Sequence, residues 1–175
     1  MAQTSATSPG TMANDSSDGT YAWSNVDNAK ISDNSYATTN WTGGATSQYL
    51  KATNFGFSIP SGATINGILA EVEVKGNATC NAYWVYVVKA DGTFGGTSKG
   101  NLDPLPETDT YTSFGASDDL WDETWTAENI NDADFGVAYR ITAYNGPISV
   151  DHIRITIYYT EAGEETVGPF PTFLI

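Results

Sequence analysis

The clearest signal in the chain is an alternation over residues 65–75, where Ile68, Ala70, Val72 and Val74 interleave with Leu69, Glu71, Glu73 and Lys75. Successive side chains of an extended chain point to opposite faces, so this run predicts a strand with one face on a core and the other toward water. The same period predicts a strand over 135–143, with Phe135, Val137, Tyr139 and Ile141 inward. It predicts another over 149–160, with Ile153, Ile155, Ile157 and Tyr159 inward and His152, Arg154, Thr156 and Tyr158 outward. Residues 80–90 differ, because Tyr83 to Val88 run without a polar break. Both faces of that strand should be covered, by a loop, by the chain's own tail or by a neighbouring subunit. Residues 49–59 read as a strand closed by Pro60 and turned by Ser61-Gly62, and 111–114 as a short strand. Gly76-Asn77, Asp91-Gly92 and Asn145-Gly146-Pro147 read as turns. The one helical stretch is a single turn at 126–130, with Thr126 as N-cap and Glu128 in its first turn.

About seven or eight strands separated by turns and long loops predict an all-β fold of two packed antiparallel sheets. The loop lengths favour a jelly-roll-like sandwich over an immunoglobulin-type one. Residues 21–46 are mixed, with Tyr21, Trp23, Tyr36 and Trp41 isolated among turn residues. Residues 1–20 are Ser, Thr, Ala, Gly, Asn and Asp with little else. Such a segment buries too little apolar surface to offset its ordering entropy, and it reads as a flexible arm that orders on a partner. The sandwich domain therefore spans 21–160, with a polar linker and tail over 161–175.

The tail, Pro169-Phe170-Pro171-Thr172-Phe173-Leu174-Ile175, is apolar at six of seven positions. Burying Phe170, Phe173, Leu174 and Ile175 would contribute about 1.5–3 kcal/mol each. Ordering the segment costs about 1–2 kcal/mol per residue. One tail in one groove is thus a weak latch, strengthened by added backbone pairing or by many copies acting together. The segment from Glu161 onward reaches at most about 50 Å, enough for a neighbouring subunit. Docking on another chain is the expectation, and folding back as an edge strand is the alternative.

Composition narrows the chemistry. Lys and Arg number 7 against 21 Asp and Glu, a net charge of -14. That balance repels a phosphate backbone, so nucleic acid is excluded as a partner. No apolar run is long enough to predict a membrane span, and residues 1–20 lack the basic and apolar regions of a signal peptide. Cys80 is the only cysteine, which excludes an intrachain disulfide; it reads as a small buried apolar residue. His152 is the only histidine and reads as a surface residue, with Asp151 pointed to the opposite face by strand alternation. Glu71 and Glu73 share a face about 7 Å apart, a spacing open to glycosidase acid–base work but read as a solvated strand surface. Residues 103–134 hold ten acidic residues and no Lys or Arg, with Asp118, Asp119, Asp122 and Glu123 around Trp121. Those loops, and more faintly residues 14–19, are candidates for Ca²⁺; no other cofactor is expected. Trp121 and Trp125, near Tyr111, form a candidate sugar-stacking platform.

The run Phe55-Gly-Phe-Ser-Ile-Pro-Ser-Gly-Ala-Thr-Ile65-Asn-Gly-Ile68 is followed by Phe114-Gly115, Asp119-Leu-Trp121 and Asp134-Phe-Gly-Val137. It closes with Val150-Asp-His-Ile-Arg-Ile-Thr-Ile-Tyr-Tyr159. Together these resemble a β-sandwich module of structural proteins in tailed bacteriophages, over about residues 21–160. The resemblance implies a virion component, and the lack of a catalytic constellation argues against an enzyme. The leading expectation is a capsid decoration, or cement, protein on the outer capsid surface. It would form a homo-oligomer such as a trimer and staple a major capsid protein through its arm and tail. The alternative is a carbohydrate-binding module of a phage fibre or tail.

Overall fold

A computed structural model describes residues 1–76, 80–100 and 104–163. Its strands are β1 (Ala2–Gln3), β2 (Thr11–Asp15), β3 (Ala37–Thr46), β4 (Tyr49–Thr53), β5 (Thr64–Lys75), β6 (Cys80–Val88), β7 (Phe94–Gly95), β8 (Thr110–Gly115) and β9 (Gly136–Thr160). A 3₁₀ turn covers Val26–Ala29, and one short helix, α1, covers Ala127–Asn131. Thr126 caps α1 as expected, its hydroxyl accepting from the Asn129 backbone N–H. The tail residues Pro169, Phe170, Pro171, Phe173, Leu174 and Ile175, and the side chain of Cys80, lie outside the described residues.

Every strand pairing is antiparallel, and the fold is the expected two-sheet sandwich. The first layer runs β2-β4-β9-β6-β7 and uses the first third of β9, where Gly136 faces Thr53 on one side and Val88 on the other. The second layer sets β8 and then β5 on one edge of the later part of β9, with β3 and β1 along its other edge. Asn145-Gly146-Pro147 is therefore no hairpin. Strand β9 passes through it without reversing, and β3 stays in register across it, with Trp41 opposite Gly146 and Asn40 opposite Pro147. Gly146 at φ 101° and a bulge in β3 containing Gly43 at φ 83° absorb the bend. One long strand thereby serves both layers through a corner, a device that local turn chemistry does not distinguish from a turn.

The alternating positions pack as the pattern requires. Ile68, Ala70, Val72 and Val74 of β5 and Val137, Tyr139, Ile141, Ile153, Ile155 and Ile157 of β9 are fully buried between the layers. The run over 49–59 departs from expectation: β4 stops at Thr53, where Asn54 (φ 58°) and Gly56 (φ 68°) break the extended chain. Phe55 and Phe57 are nonetheless buried, their rings stacked 5.7 Å apart.

Residues 1–20 are extended but not a free arm. β2 pairs along the whole of β4, and Met12 joins the core. Ahead of it, the Thr4 N–H donates to Ile157 O (3.0 Å), and Thr7 and Ile155 exchange backbone hydrogen bonds of 2.9 and 3.0 Å. Composition reports side-chain burial alone. The open edge of β9 beyond β3 presents unpaired backbone groups, and a polar segment satisfies those as well as an apolar one does.

Candidate functional site

The outer face of the first layer carries aromatics where alternation would place polar residues. In β6, Tyr83, Val85 and Val87 enter the core, and Trp84 and Tyr86 stand on the opposite face, partly exposed. Across the ladder, Trp84 is opposite Arg140 and Tyr86 opposite Ala138. Tyr49 of β4 and Phe94 of β7 complete the patch: Tyr49 meets Phe94 edge-on at 4.6 Å, and Tyr86 stacks on Phe94 at 5.9 Å. Tyr49, Val88 and Ala138 form a second apolar cluster beneath these rings. The second face of the apolar run in β6 is thus only partly covered, by side chains of the same sheet packed beside Trp84 and Tyr86.

Arg140 lies in the middle of this patch. Its guanidinium sits 4.5 Å from the Trp84 ring centre and 4.8 Å from that of Tyr49, and it pairs with Asp18. The Arg140 hydrogen bond is the main cause that holds the Asp18 carboxyl below the usual carboxylate range. Arg140 is only 9% exposed, and its buried Nε has no hydrogen-bond partner. Lys51, opposite Ala138 on the β4 side, adds a second cation, which donates to Gly92 O at 3.3 Å. The face therefore offers ring surfaces, two cationic donors and the Asp18 carboxylate on one rigid strand platform.

The outer face of the second layer is polar and largely covered. A bulge between the Glu73–His152 and Val74–Val150 pairs leaves two residues between the inward Val150 and Ile153. Asp151 and His152 are therefore both turned out of the core, against the strict alternation that separated them. His152 is buried, contrary to its reading as a surface residue, with 7% exposure. Its Nδ1 lies 2.8 Å from the Tyr111 hydroxyl and its Nε2 2.8 Å from Ser8 Oγ. Burial, followed by the Arg154 charge, pushes the imidazole below its ordinary pKa. Asp151 accepts from the backbone N–H groups of Asp33 and Asn34, and its burial raises its carboxyl pKa. Glu71 is not a free carboxylate, since Arg154 grips both its oxygens at 2.8 and 3.0 Å. Glu71 and Glu73 thus form no matched acid–base pair.

The tryptophans singled out from sequence face the other way. Trp121 is fully buried and donates from Nε1 to Ile68 O at 2.9 Å. Trp125 packs edge-on against Phe135 at 5.4 Å and donates to Leu120 O, leaving only an edge beside two shallow grooves. Neither offers a ring face for stacking. Among the acidic loop residues, Asp119 is engaged by the Trp121 N–H and Lys99, and Glu123 by the Gly96 N–H. Asp15 and Asp18 accept from the backbone at Ser17 and Gly19. No cluster of three metal-ligating side chains occurs among the described residues. The residues missed were Trp84, Tyr86 and Arg140. Their signal was present in the two-faced apolar run of β6 and in a lone cation at an outward position of 135–143.

No protein-family model and no curated protein sequence matches the chain. Several solved structures align with most of the chain at low similarity. BiXyn10A CBM1 aligns at 11% identity and TM-score 0.44, over 85% of this chain and 98% of that one. TmCBM61, solved with β-1,4-galactotriose, aligns at 8% identity and TM-score 0.44, over 83% and 86%. The enzymatically active domain of tailspike protein 4 of bacteriophage CBA120 aligns at 11% identity and TM-score 0.46, over 86% of this chain but 19% of that one. Similarity at this level carries no weight for function, which rests on the site geometry.

Proposed function

We propose that this chain is a carbohydrate-binding β-sandwich module that holds its glycan across the Trp84–Tyr86 face of the first layer. The observation that carries the reading is the Arg140 guanidinium held between the Trp84 and Tyr49 rings on an outward strand face. Sugar rings present C–H surfaces that pack on aromatic rings, and hydroxyls that require fixed donors and acceptors. Trp84, Tyr86 and Phe94 supply the first, and Arg140, Asp18 and Lys51 the second. The patch is a platform rather than an enclosed cavity, which suits an extended polymer more than a small solute. Lys51 and Arg140 are balanced locally by Asp15 and Asp18, and the net charge of -14 disfavours polyanions. The ligand class is therefore a neutral polysaccharide.

Capsid decoration drew on two free chain ends. The first is a paired strand in the sheet, so the capsid reading keeps only the tail, and the glycan reading takes precedence. The test is tryptophan fluorescence and calorimetric titration with neutral oligosaccharides, with a polyuronate as comparator. Binding that is saturable, selective for neutral chains and abolished in a folded Trp84→Ala variant supports the proposal. Identical titrations for wild type and Trp84→Ala would reject it.

A further inference from the structure

The second layer carries an arrangement that glycan binding does not use. Ser8 is exposed, and its Oγ lies 2.8 Å from Nε2 of the buried His152. On the far side of the ring, Nδ1 lies 2.8 Å from the Tyr111 hydroxyl. Burial raises the Tyr111 pKa, with Ser32 and Glu73 near enough to contribute. Glu73 Oε2 is buried without a hydrogen-bond partner.

A neutral imidazole carries one ring proton, so it donates from one nitrogen and accepts at the other. With the proton on Nδ1, the ring donates to the Tyr111 oxygen. Nε2 is consequently bare and accepts the Ser8 O–H. Burial and then the Arg154 charge lower the imidazole pKa, against the pull of Glu73, Asp151 and Glu71, and so favour the neutral ring. This is the tautomer and charge state a general base requires next to a hydroxyl nucleophile.

We infer that Ser8 is an activated nucleophile, a covalent acceptor for acyl groups from small activated esters, with His152 as its base and Tyr111 as the positioning residue. In the acylation step, Ser8 Oγ forms a bond to the ester carbonyl carbon while its proton passes to His152 Nε2. The ester C–O bond then breaks, and the departing alcohol takes that proton. The products are acyl-Ser8 and one equivalent of alcohol, with His152 neutral again. No oxidant or metal enters the balance.

Ser5 provides an internal control, being exposed on the same segment three residues away. The full chain is treated with 4-nitrophenyl acetate and separately with a fluorophosphonate, and the Ser8 to Ser5 labelling ratio is read by peptide mass spectrometry. General-base assistance is worth on the order of 10²-fold at its lower end, so a ratio near 100 is expected at pH 7.5. The Ser8 rate should level off at neutral pH and fall in acid as the imidazole protonates, while Ser5 labelling keeps rising with hydroxide. Tyr111→Phe keeps the ring but lacks the hydroxyl, and it should lower the ratio at least tenfold. His152→Gln should bring the ratio close to one; if that variant does not fold, Tyr111→Phe and the pH profile decide. Equal labelling of Ser5 and Ser8 in the wild type overturns the inference. So does a ratio that survives Tyr111→Phe with no acid limb.

Discussion

Replacing Arg140 by methionine separates a ligand-binding arginine from a structural one. Methionine keeps a flexible apolar stem between Trp84 and Tyr49 and removes the guanidinium. Three terms follow from the geometry. The Asp18 pair is lost, but the Asp18 side chain is 65% exposed, so this costs under about 1 kcal/mol. Two cation–π contacts of a residue only 9% exposed are lost, at about 1–2 kcal/mol each. Against these, the buried Nε without a partner disappears, which returns about 1–3 kcal/mol. The net loss is about 1–2 kcal/mol, so the variant should unfold in urea at a modestly lower midpoint than the wild type. Its affinity for a neutral oligosaccharide should nonetheless fall at least tenfold, because the central donor of the platform is gone. Paired urea melts and calorimetric titrations read both quantities. A loss of more than about 3 kcal/mol would make Arg140 a fold residue, and unchanged affinity would remove it from the site. Either result refutes the reasoning.

Trp121→Phe should destabilise the domain by about 2–4 kcal/mol, from a cavity plus an orphaned Ile68 carbonyl, while leaving glycan affinity intact; urea melts and titration check both. His152 has a folded-state pKa below the unfolded value of about 6.5, so its stabilising contribution is complete above that pH. It is lost as pH falls from about 6.5 toward the folded value, since the unfolded chain there binds more protons. Urea midpoints should thus fall between pH 7.5 and 5, and His152→Gln should flatten the curve in that window. Deleting Pro169 to Ile175 tests the docking role of the tail: the domain should remain folded but sediment as a smaller species. An unchanged sedimentation profile would remove that role.

The strands of the core were legible in the letters because burial on one face imposes a period of two, which β5 shows from Ile68 to Lys75, while β9 keeps its inward set but also covers outward residues such as Ala138, Arg140 and Thr156. The cap at Thr126 and the turn at Asp91-Gly92 were legible for a similar reason. Each is a local hydrogen-bonding arrangement that its own residues complete, with the Lys89 N–H donating to Thr93 O and the Gly92 N–H to Lys89 O. The candidate sites were legible only in part. The two-faced run of β6 announced that something covers Trp84 and Tyr86, but nothing local says that Arg140, Tyr49 and Phe94 do so.

What only tertiary structure decided are the features that depend on a partner distant along the chain. A polar segment at residues 2–7 becomes strand-like because β9 leaves an edge open more than 140 residues away. A turn-like Asn145-Gly146-Pro147 becomes a corner because β3 holds it extended. Trp121 becomes core because the Ile68 carbonyl requires a donor at that depth. A one-residue bulge at Asp151 sets two neighbouring polar groups on the same side of a strand. Side-chain periodicity records which face is dry. Backbone pairing, register slips and long-range hydrogen bonds leave almost no trace in composition, because any residue's main chain can make them.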